Sequence, residues 1–239
     1  MAQPSIVENK KKPLSRASTR SEGSKGRTCG ILDGKNIAIL ATDGVEQDEL
    51  TQPRQALIDA GAKVSVVSPM EDQIQMWKHH SPADTIEVDL NLKEARTKHF
   101  DSLVLPGGVM NPDDLRVIPE AIDFVKEFVN QRLPIGAICH GPWLLVEAHA
   151  LQGVNVTSWP SLKTDLMNAG AKWEDSAVVT DRNFITSRKP ADLPMFSRAL
   201  IEMIGQVENK TSFLAASSSD AQLRKTTERA PAPGAEAAP

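Results

Sequence analysis

Pro134-Ile135-Gly136-Ala137-Ile138-Cys139-His140-Gly141-Pro142-Trp143 decides what this chain folds into. Pro134–Ile138 is short and apolar, as a buried strand is, and Pro142–Ala150 has the character of a helix. Cys139 falls at the junction. A sharp strand-to-helix turn strains the residue at its tip, and bulky neighbours would clash with it; Gly136 and Gly141 supply the room. At a helix N-terminus, backbone N–H groups and the dipole favour thiolate. The run predicts a nucleophile elbow with Cys139 as the reactive centre. A free cysteine is more often a small buried hydrophobe; the flanking glycines weigh against that here.

Working outward, the same alternation recurs. Asn36–Ala41 is an apolar run ending in Thr42-Asp43-Gly44, a buried strand and its turn. Gln47–Ala60 has helical spacing, and Gly61 follows as its stop. Lys63–Ser68 is a second strand, closed by Pro69. This opening is a right-handed β-α-β unit with parallel strands. Ile86–Leu90 reads as a short strand and Asn91–His99 as a short helix. Ser102–Leu105 is a strand ended by Pro106-Gly107-Gly108. Pro119–Gln131 is amphipathic, with Ile122, Val125, Phe128 and Val129 on one face. Val154–Thr157, Ala177–Thr180 and Asn183–Thr186 read as strands, and Leu193–Ile204 as a closing helix. The fold class is α/β: a doubly wound, mostly parallel sheet with helices on both faces. Ligands of such sheets bind beyond the C-terminal strand ends. Asp43–Glu49, Pro106–Asp114 and Cys139–Trp143 all lie at such ends.

Composition sets the limits. The 239 residues fit one domain with tails, and a hydrophobic fraction of 40% supports a core. Residues 1–35 form a basic tail of net +5, expected to be disordered; 206–239 form a neutral Ala/Pro/Ser-rich tail, also expected to be disordered. The intervening domain, 36–205, carries −9 and lacks the positive patch that nucleic-acid binding through the core requires. No apolar run is long enough to span a membrane, and residues 1–34 have no secretory signal core. The two cysteines, Cys29 in the basic tail and Cys139 in the elbow, make a disulfide framework unexpected. The expected location is the cytoplasm.

The residues around the elbow suggest roles. His140 offers an imidazole as base or thiolate stabiliser, or only its backbone N–H as an oxyanion donor. Gly107 and Gly108 expose N–H groups that would meet a developing oxyanion. Glu46, after the first strand, is the expected acid near the sulfur: protonated it would donate to the thiol, ionised it would raise the thiol pKa. Asp48 and Glu49 read as ordinary acids of a helix start. A glutaminase triad needs a histidine well downstream of the cysteine, and none follows His149. His79-His80 is the only histidine pair, poorly spaced for a metal. No metal or organic cofactor is expected; His79 is expected to border the pocket.

These stretches resemble the PfpI family, within the PfpI/DJ-one superfamily of intracellular peptidases, deglycases and stress proteins. The resemblance is carried by Thr42–Leu50 (TDGVEQDEL), Leu103–Gly108 (LVLPGG), Ala137–Trp143 (AICHGPW), Gly153, Thr157–Leu166 (TSWPSLKTDL), Asn168–Ala171 (NAGA) and Thr186–Leu193 (TSRKPADL). It implies a flavodoxin-like fold, a Cys139-His140 pair and an acid near the thiol, matched to Glu46. In peptidase-like members a third acid comes from a neighbouring subunit after the Pro-Gly-Gly turn; Asp113 is its match here, with Asp114 as substitute. A homo-oligomer with the site near an interface is thus implied. By analogy Trp143 and Trp159 line the pocket. Three functions share this elbow. The first is a glyoxalase or deglycase acting on methylglyoxal or its adducts. The second is a cysteine peptidase or amidase with a Cys139-His140-Asp113 triad completed across subunits. The third is a non-enzymatic redox-sensing or holdase stress protein.

Overall fold

The computed structural model describes residues 30–206. In chain order the strands and helices are β1 (Asn36–Leu40), β2 (Val45–Glu46), α1 (Gln47–Asp59), β3 (Lys63–Ser68), β4 (Gln73–Lys78), β5 (Ser81–Glu87), β6 (Leu90–Asn91), β7 (Ser102–Leu105), α2 (Met110–Arg116), α3 (Pro119–Gln131), β8 (Ile135–Ile138), α4 (Trp143–Glu147), β9 (Asn155–Val156), α5 (Lys163–Asn168), β10 (Lys172–Trp173), β11 (Val178–Asp181), β12 (Phe184–Ser187) and α6 (193–206).

The main sheet has seven strands in the order β11-β12-β8-β7-β1-β3-β6. Only β11 with β12 is antiparallel. Leaving out the two edge strands, the order is second-first-third-fourth-fifth, the flavodoxin-like arrangement. The strands are apolar on both faces because both faces are covered. Ala38, Leu40, Leu103, Leu105, Ile135 and Ala137 point into a core with α3 and α4; Ile37, Ile39, Val66 and Val104 point into a second core with α1 and α6. Gly136 lets α6 approach β8: a Cβ there would lie 2.4 Å from Leu200 Cδ2 and 3.0 Å from Phe196 Cζ.

Several expectations are corrected. Gln73–Glu87 forms a β4–β5 hairpin instead of a single strand at Ile86–Leu90, and β4 pairs with β2 outside the main sheet. Asn91–His99 is no α-helix. Asn91 Oδ1 accepts the Lys93 N–H, a local turn, and Arg96 is extended before a short 3-10 turn at Thr97–His99. Met110–Arg116 is a helix that the run VMNPDDL had not announced. The strand expected at Val154–Thr157 shrinks to β9, which pairs with β10 in a separate two-stranded sheet. Residues before Asn36 also join the fold: Leu32 is fully buried, and its N–H bonds the Ala60 carbonyl. Both tails otherwise lie outside the described residues. Among the described residues, no helix is long and apolar enough to cross a membrane.

Candidate active site

The topology brings the ends of β1, β7 and β8 together at one edge. Cys139 is the residue after β8 and has φ 61°, a left-handed conformation costly for a residue with a Cβ. Its neighbours enforce it. The Cys139 N–H donates to the Ser187 carbonyl at 3.0 Å, and its own carbonyl accepts the Trp159 N–H at 3.0 Å. Gly141 is required because a Cβ there would sit 2.2 Å from the Leu105 carbonyl oxygen.

The His140 ring does turn back to the sulfur, with Nδ1 3.2 Å from Cys139 Sγ. Its Nε2 lies 3.4 Å from Ser161 Oγ. Burial lowers the His140 pKa to about 4, so the imidazole is neutral at neutral pH. With Nε2 carrying the proton toward Ser161, Nδ1 is left free to accept the thiol proton.

The carboxyl set against the thiol is Glu49, not Glu46. Glu49 is the third residue of α1, fully buried, and its Oε2 accepts the Gly107 N–H at 3.0 Å. A Cβ on Gly107 would lie 2.4 Å from that oxygen, 2.6 Å from Cys139 Cβ and 3.0 Å from the His140 nitrogen, so the three groups converge on one glycine. Glu46 stands one turn earlier, and its Oε2 accepts the His79 N–H at 2.9 Å. Glu49 is on the inward stripe with Pro53 and Leu57, at spacings of four and eight. That stripe was the available signal in the sequence, masked by the usual preference for acids at a helix start.

Burial raises Glu49 from its ordinary 4.5 to about 8; the thiol's hydrogen bond opposes this, and the nearby Glu46 adds to it. Glu49 is therefore protonated at neutral pH. Burial also pushes the Cys139 thiol up, and an ionised Glu49 would push it further. The expected helix-start bias toward thiolate is overridden, since α4 has only five residues and the sulfur is buried. The Gly108 and His140 N–H groups face the sulfur and favour its charged form. Gly107 is not free for an oxyanion, because Glu49 occupies its N–H.

Asn111, unremarked in the sequence, fixes the Pro106-Gly107 turn. Its fully buried amide donates to the Pro106 and Gly107 carbonyls at 3.0 and 3.2 Å and accepts the Thr42 N–H at 2.8 Å. Asn111→Leu takes a partner from three backbone groups, of which the Gly107 carbonyl keeps the Glu46 N–H, and is expected to cost about 2–3 kcal/mol in urea unfolding.

A cavity of about 440 Å³ opens over the thiol. Cys139, Glu49, Glu46, His140 and Gly108 line it together with Trp159, Ser161 and the His79-His80 turn. Trp159 and His79 are both among its lining residues. Trp143 does not line it: the indole Nε1 donates to Asp165 Oδ2 at 2.9 Å, and the ring stands edge-on to His140 at 5.2 Å, outside the cavity. Asp113 and Asp114 are exposed on α2 and do not line the cavity of their own chain.

Residues 35–203 match the model of the DJ-1/PfpI family. Among curated proteins, the chain is 36% identical over 170 residues to the putative cysteine protease YraA of Bacillus subtilis, covering 71% of this chain and 98% of that one. It is 37% identical over 172 residues to protein/nucleic acid deglycase 2 of Escherichia coli, covering 72% and 98%. A solved two-domain protein of Anabaena variabilis, with DJ-1/ThiJ/PfpI-like and ferritin-like domains, superposes with a TM-score of 0.68 at 36% identity, over 72% of this chain and 48% of that one. Drosophila melanogaster DJ-1beta superposes with a TM-score of 0.65 at 26% identity, over 74% and 97%. With its elbow, its strand order and a family match running from the start of β1 to α6, this chain belongs to the DJ-1/PfpI family.

Proposed function

We propose that the protein is a thiol-dependent glyoxalase or deglycase that converts methylglyoxal, or its adducts, to a hydroxy acid through Cys139. The observation that carries this is the closed set around the sulfur: His140 Nδ1 at 3.2 Å, a buried protonated Glu49 against the thiol, and two N–H groups facing it.

The chemistry needs no group beyond these and water. As Sγ bonds to the aldehyde carbon, the thiol proton passes to His140 Nδ1. The carbonyl oxygen gains charge, is met by the Gly108 and His140 N–H groups, and takes the proton back to give a hemithioacetal. The hydrogen on that carbon then leaves as a proton to the imidazole, the hydroxyl proton shifts to the neighbouring carbonyl oxygen, and the imidazole returns its proton to the neighbouring carbon, passing through an enediolate. The product is a thioester of lactate on Cys139. Water hydrolyses it, releasing lactate and restoring the thiol. Oxidation of one carbon is matched by reduction of the next.

Peptidase chemistry would require an acid to hold His140. Within this chain its Nε2 meets the Ser161 hydroxyl, and Asp113 would have to come from a second copy. Purified protein is expected to form lactate from methylglyoxal and to leave a peptide panel uncut, and Asp113→Ala is expected to keep lactate formation within about twofold, as a residue outside the cavity should. Peptide cleavage lost in Asp113→Ala, with no lactate from the wild type, would replace this reading with the peptidase one.

A further inference from the structure

The segment that carries Glu49 into the site also holds the β4–β5 hairpin, residue by residue. Asp43 Oδ1 accepts the Gln75 N–H at 2.7 Å, and the Gly44 N–H donates to the Gln75 carbonyl at 2.9 Å. Val45 and Glu46 pair in parallel with Met76 and Trp77. Gln47 exchanges two hydrogen bonds with Asp84, at 2.9 and 3.2 Å, and Asp48 pairs with Lys78 at 3.4 Å. Ile74 and Met76 anchor the hairpin in the core.

The tip is the exception. Lys78, His79 and His80 are exposed, and His79 has φ 56° in the left-handed region. An imidazole-bearing residue there is strained, and its N–H needs a partner if the turn is to stay closed. That partner is Glu46, whose side chain is buried while the tip is not. Both His79 and His80 border the cavity that Cys139 lines.

We propose that Glu46 is a positioning residue: by accepting the His79 N–H it seats the His79-His80 tip as the outer wall of the thiol cavity, so that the tip sets how large a compound can reach Cys139. The bond asks only for an acceptor oxygen, so the amide of Glu46→Gln can make it and Glu46→Ala cannot. A proton-transferring acid would behave the other way, failing in both variants. The inference rests on Cys139 being the site's reactive group, but not on which carbonyl compound it turns over.

The test compares Cys139 alkylation by iodoacetamide and by fluorescein maleimide, read by mass spectrometry on the Cys139 peptide so that Cys29 does not contribute. In Glu46→Ala the maleimide rate is expected to rise about tenfold while the iodoacetamide rate stays within about twofold, and Glu46→Gln is expected to return the ratio to within about twofold of wild type. His80→Ala, which leaves the Glu46 bond in place, should raise the maleimide rate in the same direction. Unchanged size discrimination in both Glu46→Ala and His80→Ala overturns the proposal. So does Glu46→Gln matching Glu46→Ala. Should Glu46→Ala fail to fold, Glu46→Gln and His80→Ala decide: wild-type discrimination in the first with loss in the second supports the wall, and any other pairing contradicts it. Lactate formation, measured alongside, fails independently if the function proposed above is wrong, because alkylation reports only access to the sulfur.

Discussion

Cys139→Ala is expected to lower lactate formation from methylglyoxal by roughly 10⁴-fold or more, to the uncatalysed background, while leaving the fold intact. The sulfur is the only atom removed. Alanine keeps the Cβ that the left-handed backbone already tolerates at φ 61°. The two backbone bonds that fix the elbow, to the Ser187 carbonyl and from the Trp159 N–H, involve no side-chain atom. Their retention predicts a urea midpoint close to wild type, with a change of about 1 kcal/mol for the lost sulfur contacts. The remaining neighbours cannot substitute. His140 is neutral but has no nucleophile to deprotonate, and the Gly108 and His140 N–H groups have no covalent adduct to hold. Turnover surviving in Cys139→Ala at more than about a hundredth of wild type would mean that another residue performs the addition.

Glu49→Gln is expected to change stability in a strongly pH-dependent way. The Glu49 carboxyl goes from its ordinary 4.5 to about 8 on folding. The folded state therefore keeps a proton that the unfolded chain releases. Stability from this group is complete below about pH 4.5 and is lost as pH rises through the window to about 8. Glutamine has no proton to lose. Its amide oxygen can accept the Gly107 N–H, and its NH₂ can face the sulfur as the protonated acid does. The variant should match wild type near pH 4.5 and exceed it by a few kcal/mol above pH 8, an order-of-magnitude figure from the size of the shift. Urea unfolding at the two pH values reads this directly. A difference that stays the same at both would show that Glu49 does not hold its proton in the folded state.

Much of this was legible in the chain, and the exceptions share a cause. The elbow could be read because Gly136 and Gly141 are demanded by separate contacts, one with α6 and one with the β7 carbonyl, and both leave a mark in sequence. β1, α1, β3 and α3 could be read because burial on both faces of the sheet makes apolar runs, and burial on one helix face makes a stripe. The hairpin was harder: β4 alternates only through Ile74 and Met76, and β5 is almost wholly exposed. Met110–Arg116 was hidden by Pro112, which is acceptable in a first helical turn but reads as a break.

The choice between Glu46 and Glu49 failed for a more local reason. The two lie three residues apart across the start of α1. Glu46 is extended as the N-cap, while Glu49 is already helical, and its side chain turns inward toward Gly107 and the thiol. Neither residue type nor spacing alone says which carboxyl reaches the sulfur. The tip contact of Glu46 could not be foreseen either, since it depends on a hairpin that the sequence did not announce.

The proposed reaction stands or falls on whether the Cys139 sulfur itself adds to a carbonyl carbon. The most direct measurement is a single-turnover reaction of the full chain with isotopically labelled methylglyoxal, quenched in acid and followed by peptide mass spectrometry. A labelled three-carbon adduct is expected on the Cys139 peptide, appearing and decaying as labelled lactate accumulates. Label found only on lysine and arginine side chains, with Cys139 unmodified throughout and lactate still forming, would contradict it.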